Sequence, residues 1–318
     1  MYKITRAFVT ITILLILLST LAGSALAAKP QRAKWTVMVY ISGDNNLEEY
    51  VVKDIELELA PIGSSAEVQV VALADRGPGY DTSYGDWQTT KLFHVTQGMT
   101  AAPENAVADW GERNMGDPQT LIDFVKWTKR NYPADHYALY FWGHGWSWHP
   151  GYVMADDTDE DALDFPEVQA ALPRIGFIDV VGYDACNMAS IEVHHLWHGY
   201  ATALVASQDF INWDGIEYDV VLSQLSDNPD MTPDQVAIAT SQSVTNDRSM
   251  SALAVDERFD ELLRAVDQWS IALSEGLDDY RIKYHQAFMI TQNFWNAPMD
   301  KDLYDMAYQI DRLVSDPG

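Results

Sequence analysis

The chain has 318 residues, 47% of them hydrophobic, with 20 Lys+Arg against 47 Asp+Glu, a formal net charge of −27 and a pI near 4.3. That hydrophobic share supports a real core and excludes global disorder, and the length suits one large domain or two ordinary ones. The charge argues against a nucleic-acid surface, since no basic stripe survives on so acidic a background; the single cysteine, Cys186, excludes an intramolecular disulfide and a multi-cysteine metal cluster.

Lys3 and Arg6 precede a nearly unbroken apolar run from Phe8 to Leu21, and Ala25-Leu26-Ala27 supplies a small-x-small cleavage pattern. The run falls short of the ~20 residues of a bilayer-spanning helix. Residues 1–27 therefore read as a signal peptide, with a retained N-terminal anchor as the alternative. The expected location is secreted or extracytoplasmic, with no stable membrane span after cleavage. Residues 28–34 read as a polar, basic tether. Residues 35–318 read as one domain that ends abruptly at Ser315-Asp316-Pro317-Gly318, as a piece of a longer protein would.

Trp35 to Ile41 is a dense apolar run ending at Ser42-Gly43-Asp44, which predicts a buried strand and its turn. Leu47, Val51, Ile55 and Leu59 then follow a helical period up to Pro61. Residues 67–74 predict a second buried strand and 87–95 a hairpin or edge strand, while 98–116 read as irregular. A helix is expected over 118–130, with Lys129 and Arg130 at its C-terminal end. Residues 136–142 predict a third buried strand, 146–163 a long loop and 164–172 a helix. Next come a strand over 178–183, a helix over 188–198 and a strand over 201–207. Helices over 216–226 and 233–246, a strand over 251–255 and a mainly helical remainder complete the chain. Apolar strands alternating with amphipathic helices predict a mostly parallel, roughly six-stranded sheet covered on both faces.

Ligands of such sheets sit beyond the carboxyl ends of the strands. His144, between Gly143 and Gly145, follows the third strand, and Cys186 follows the strand over 178–183. If those strands are neighbours, imidazole and thiol open into one cleft, the arrangement of a cysteine nucleophile with a general acid–base partner. A helix beginning just after Cys186 would favour its thiolate. A buried inert thiol and a thiol linked to a partner are equally compatible with the composition.

The segments WTVMVYISGDNNLE (35–48), YALYFWGHGWSW (137–148), VVGYDACNMASIEV (180–193) and VASQD (205–209) together resemble the clostripain-like cysteine peptidases, relatives of caspases, legumain and gingipains. SMSALAVD (249–256) and FWNAPMDKDLYDMA (294–307) extend the resemblance to about residues 35–313. It implies a caspase-like three-layer α/β/α sandwich and cleavage of peptide bonds after Arg or Lys. It places the family's catalytic histidine on His144 and its nucleophile on Cys186. Asp184 falls on the acid that lines the pocket for the basic side chain, and Asp209 more loosely on a second pocket acid. Asn187 stands where relatives often carry Leu. The amides of Gly145 and Cys186 are the candidates for an oxyanion hole.

Other clusters invite other readings. Asp156, Asp157, Asp159 and Asp161 belong to an acidic run of the kind Ca2+ favours outside cells, and some relatives are stabilised or activated by calcium. The run lacks the EF-hand pattern, and a solvated loop is the plainer reading. His194 and His198 share a helix face, but no third metal ligand can be named. Arg174 is the only basic residue from 146 to 185, and a cut there would lie close to the next strand; the expectation is either no processing there or processing elsewhere, with Arg32 and Lys34 as exposed candidates near the N-terminus. Trp142, Trp146, Trp148 and His149 surround the histidine. The resulting expectation is a secreted cysteine endopeptidase acting on protein or peptide substrates with a basic P1 residue, with no organic cofactor and Ca2+ as the one candidate ion. The alternative is an inactive exported peptide- or glycan-binding protein on the same fold.

Overall fold

The run of Trp35 to Ile41 forms the middle of β1 (Ala33–Gly43), whose side chains are buried almost throughout. This computed structural model describes residues 32–149, 151–245, 249–294 and 297–315, so the expected leader lies outside them. β1 begins two residues earlier than the sequence suggests. Lys34 therefore lies inside a strand rather than in an exposed tether, with its ammonium 2.8 Å from Asp230.

β1 is central because both its edges are used. It pairs in parallel with β2 (Val68–Arg76) on one side and β5 (Ala134–Trp142) on the other. β5 pairs in parallel with β8 (Ile178–Asp184), and β8 with β9 (Ala201–Ser207). Antiparallel strands close both flanks: β10 (Met250–Ala254) beside β9, and β3 (Lys91–His94) beside β2, followed outward by β4 (Ala108–Asp109). The sheet order is β10-β9-β8-β5-β1-β2-β3-β4, eight strands rather than about six. Two further short strands, β6 (Tyr152–Asp156) and β7 (Asp161–Asp164), form a hairpin inside the stretch expected to be loop. Its irregular alternation hid it: the register slips between Val153 and Ala155, and Met154 between them takes φ 59°.

Helices cover both faces, as the alternation predicts. One face carries α1 (Glu48–Lys53), which continues as a π-helical stretch over Asp54–Leu59. With it lie α5 (Tyr218–Asp227) and α6 (Pro233–Ser243), packing Val51, Ile55, Val221, Leu225 and Val236 against Val37, Val39 and Tyr140. The other face carries α2 (Pro118–Asn131), α3 (Phe165–Ile175) and the short α4 (Ile191–Leu196), whose side chains meet Met38, Tyr40, Leu139 and Phe141. Local signals start these helices: Asp117 accepts from the Gln119 N–H ahead of Pro118, and Asp164 and Glu167 form a reciprocal capping box. α7 (Glu257–Glu275), α8 (Leu277–Ile290), a small hairpin of β11 (Asn293–Phe294) and β12 (Ala297–Lys301), and α9 (Leu303–Ser315) follow the sheet. No helix among the described residues is long and apolar enough to cross a membrane.

At the end of β2 a completed polar network braces α1. Arg76 and Glu48 are fully buried, with Nε of Arg76 2.9 Å from Oε1 of Glu48. Oε2 of Glu48 accepts the Tyr80 and Asp81 N–H groups at 3.0 and 2.9 Å, and the guanidinium lies 4.7 Å from the Trp87 ring centre. Removing one member strands a buried charge. Glu48→Ala should therefore cost about 3–5 kcal/mol in urea unfolding. Asp135→Ala, which opens the exposed Arg32–Asp135 pair, should cost less than about 1 kcal/mol; equal losses would contradict this assignment.

Candidate active site

β5 and β8 are neighbours in the sheet, with Trp142 opposite Asp184. His144 and Cys186 each stand two residues beyond those register partners, so both turns leave the sheet at the same edge. The turns also touch: the Gly143 N–H donates to the Asp184 carbonyl at 3.2 Å. A Cβ at Gly145 would fall 2.7 Å from the Cys186 carbonyl oxygen, so only glycine permits this approach. Both His144 and Cys186 are half-buried.

An unexpected residue orients the imidazole. Nε2 of His144 is 2.7 Å from Oδ1 of Asn46, in the turn after β1. An amide oxygen only accepts, so this contact puts the proton on Nε2 and leaves the Nδ1 lone pair for chemistry. Burial lowers the His144 pKa, and the charge of Asp157 offsets part of that. The strand segment after the histidine is pinned as well. Met154 N–H donates to the His144 carbonyl at 2.9 Å and Trp146 N–H to the Tyr152 carbonyl at 3.0 Å, a bridge that does not use the Gly145 amide.

The cysteine turn is shaped differently from the sequence expectation. Asn187 has φ 59°, a conformation asparagine tolerates better than Leu. Its N–H donates to the Asp209 carbonyl at 3.0 Å and its side-chain amide to the Gln208 carbonyl at 3.3 Å. It is therefore a turn residue and not a helix cap. α4 starts only at Ile191, capped by Ser190, and has six residues. The expected dipole beside Cys186 is thus corrected, because that influence fades within the first turn of a helix.

Asp184 ends β8 with its side chain 6% exposed. Both its oxygens lie 3.2 Å from the Ile216 N–H. Burial pushes its pKa up to about 6, against the Ile216 hydrogen bond. The Tyr218 hydroxyl leans toward the same carboxyl without reaching hydrogen-bonding geometry. Gly215 covers it at φ 56°; a Cβ there would lie 2.5 Å from Oδ1. A second acid on this side is Asp54, whose Oδ2 accepts the Trp142 indole N–H at 2.5 Å. Burial first, and then the charge of Asp184, raise its pKa well above the carboxylate range. Asp54 had a sequence signal: it stands three residues after Val51, on the apolar side of an amphipathic helix. Asp209 turns its Oδ1 to the Phe210 N–H at 2.8 Å, and its backbone carbonyl holds the Cys186 turn.

The aromatic surround divides. Trp142 is buried, whereas Trp146, Trp148, Phe210 and Trp213 are exposed, the last stacked on Tyr50. Of the acidic run, the fold draws only Asp156 inward. Asp157, Asp159 and Asp161 stay at the surface of the β6–β7 hairpin, and Asp161 accepts from the Asn114 side-chain amide at 2.7 Å. Asp156 instead meets Asp44, Asp75 and Glu112. His194 points Nδ1 at the Ser190 carbonyl and His198 pairs with Asp260, so the two share no ligand position.

The sequence pattern of the clostripain family matches residues 39–315. Clostripain of Hathewaya histolytica is 30% identical over 226 residues, which cover 62% of this chain and 43% of that protein, so the chain spans less than half of that relative's length. Among solved structures, a secreted C11 cysteine protease from Bacteroides thetaiotaomicron, in complex with an irreversible peptide inhibitor, aligns with a TM-score of 0.55 at 22% identity, covering 67% of this chain and 58% of that one. An inactive zymogen C11 protease from Parabacteroides distasonis aligns with a TM-score of 0.64 at 19% identity, covering 90% and 81%. These likenesses bear out the α/β fold class expected from the sequence.

The close fit over Asp184 has a measurable cost. Gly215→Ala should lose more stability than Gly199→Ala, since both sites have positive φ but only Gly215 also faces a carboxylate. The conformational part is about 1–2 kcal/mol; equal losses in denaturant titrations would mean that Gly215 does not press on Asp184.

Proposed function

The chain belongs to the clostripain family, a family of cysteine peptidases, and from that premise we propose that it is an exported endopeptidase cutting after Arg or Lys. One observation carries the reading: parallel pairing of β5 and β8 brings His144 and Cys186 out at one edge of the sheet, in turns that touch.

In this mechanism the Cys186 thiolate attacks the scissile carbonyl, forming a C–S bond. Nδ1 of His144 takes the thiol proton and passes it to the leaving amine as the C–N bond breaks. Water, activated by the same imidazole, then hydrolyses the thioester. Asn46 keeps the ring in the tautomer this requires. The amides of Gly145 and Cys186 are the candidates to receive the oxyanion. Asp184 supplies the negative charge for a basic side chain, which a carboxylate binds by charge-assisted hydrogen bonds. The exposed Trp146, Trp148 and Trp213 suit contacts to an extended peptide. Export is supported by the leader pattern of residues 1–27.

The reading is tested with peptides bearing Arg, Lys, Asp or Ala before a fluorescent leaving group. Arg and Lys peptides should be cleaved, and Cys186→Ala should abolish turnover. His144→Ala should lower kcat by roughly 10²–10⁴-fold. Turnover that survives Cys186→Ala would overturn the thiol mechanism. Folded protein that binds peptide without cleaving it would favour the binding-protein alternative.

The pocket acid makes a separate prediction. A carboxyl with a pKa near 6 is neutral below that pH and charged above it. Thus kcat/KM for Arg peptides should rise as pH increases through about 6. Asp184→Asn should erase that limb and lower kcat/KM roughly 10- to 150-fold, the worth of a hydrogen bond to a charged group. An unchanged profile in Asp184→Asn would remove Asp184 from the pocket.

A further inference from the structure

We infer that Asp54 is a second binding group of the cation pocket: the charged end of a basic side chain enters between Asp54 and Asp184, and Asp54 gives up a proton as it does so. The role given to Asp54 rests on the peptidase reading of Asp184. The two acids come from adjoining layers. Asp184 and Trp142 are register partners in adjacent parallel strands, so they stand on one face of the sheet, about 5 Å apart. Asp54 comes down from the helix that covers this face, and the Trp142 indole N–H donates to its Oδ2 at 2.5 Å. Trp142 thereby sets Asp54 beside Asp184. The backbone is adapted to the same end. α1 widens at Asp54 into π-helical turns, closed where the Ala60 N–H donates to the Ile55 carbonyl five residues back. Such turns are rare and gather at functional sites. The loop over Asp184 is tied to this helix too: Trp213, two residues before Gly215, stacks on Tyr50 at 5.5 Å, and Tyr50 lies one helical turn before Asp54.

A buried hydroxyl marks the place of a ligand. Tyr218 is 1% exposed, yet its hydroxyl has no hydrogen-bond partner. A polar group left so is costly. The charges of Asp184 and Asp54 both act on it. Asp184 is buried as well, with a single backbone N–H shared between its two oxygens. Oxygens of Asp184, Asp54 and Tyr218 therefore converge with fewer donors than they can accept. A guanidinium or an ammonium supplies donors only. Lys53, the basic neighbour of Asp54 along the chain, lays its own ammonium over the Tyr50 ring at 4.7 Å.

Two adjacent buried carboxylates repel, so the empty pocket keeps one of them neutral. Burial, and then the charge of Asp184, hold the proton on Asp54; the Trp142 hydrogen bond opposes this, Glu58 adds to it and Lys53 opposes it again. Glu58 is itself pushed up to about 7, by burial first and then by Asp219 of α5. Asp184 thus ionises first and Asp54 second, as a coupled pair. A cation between them favours the ionised form of both. The Asp54 O–H bond then breaks, the proton leaves to solvent, and the carboxylate accepts from the incoming side chain. Arginine stays charged throughout, so a proton released on binding it comes from the protein.

The test titrates N-acetyl-arginine amide into the full chain carrying Cys186→Ala, by calorimetry in buffers of different ionisation enthalpy. At about pH 7.5 Asp184 and His144 have already lost their protons. Release should approach one proton per ligand bound, and affinity should go on rising with pH above about 7. Asp54→Asn keeps an oxygen for the Trp142 indole but cannot ionise. It should abolish the release, flatten the rise and weaken binding at least about tenfold at high pH. Glu58→Gln should change none of these. If Asp54→Asn fails to fold, the proton count of the parent protein decides alone. Binding without release would overturn the role of Asp54 while leaving Asp184 as the pocket acid. Release that persists in Asp54→Asn, or that vanishes in Glu58→Gln, would overturn it too. Folded protein that binds no arginine ligand at any pH would overturn both assignments. Release that depends on Asp54, beside inactivity of the Cys186-containing protein, would support the pocket while counting against the peptidase reading.

Discussion

The close packing of Tyr140 over Gly182 is the constraint on which the site depends. A Cβ at Gly182 would meet the Tyr140 ring at 2.3 Å, so this glycine lets β5 and β8 lie in register with a large ring between them and the helices above. The ring is then held twice. Its hydroxyl is 2.7 Å from the Thr240 hydroxyl in α6, and its edge meets Tyr218 of α5 at 5.4 Å between centroids. Tyr218 in turn leans over Asp184. Strand register, helix position and pocket acid are thus parts of one packed column, and the turns carrying His144 and Cys186 rise directly from its upper end.

Charge is distributed around that column with a clear division. Where a buried acid serves the scaffold, the fold supplies a full set of partners: Glu48 has Arg76 and two backbone N–H groups. Where acids border the cleft, it does not. Asp54 has one indole donor and Asp184 one backbone N–H, and Asp44 and Asp75 each leave a buried oxygen bare. Incomplete solvation of a carboxylate raises its affinity for any cation that can reach it. In the proposed function, Asp184 is the acid that meets a cation carried on a substrate side chain.

The backbone around the cleft is shaped by residues that leave ordinary φ values. Asn187 at φ 59° turns the chain so that its N–H meets Asp209, which joins the Cys186 turn to the end of β9. Met154 at φ 59° does similar service beside His144, forming the irregular step in β6 that returns a hydrogen bond to the histidine carbonyl. Both positions lie in connections rather than within the parallel core, where strain is most easily accommodated.

Much of this was legible in the amino-acid order, because hydrophobic period and turn chemistry are local properties. The apolar runs before Ser42, Gly143 and Asp184 identify strands, and the placement of His144 and Cys186 just beyond two of them identifies a candidate dyad. The family motifs then suggested the roles. The hairpin at 152–164 was hidden by a bulge that breaks its alternation, and α4 began later than its apolar spacing implied because Asn187 and Ser190 form a turn and a cap first. Asn46 was missed for another reason: it acquires its role from His144, 98 residues away, and Asp54, an acid on the apolar side of a helix, takes on meaning only from Trp142, 88 residues away. The same holds for the cluster of Asp44, Asp75, Glu112 and Asp156, of which the acidic run revealed only Asp156. Sequence by itself determined the alternation of elements and singled out the two candidate reactive side chains. Only the tertiary structure decided which charges face one another, since that depends on strand order and crossover, which periodicity along one chain does not encode.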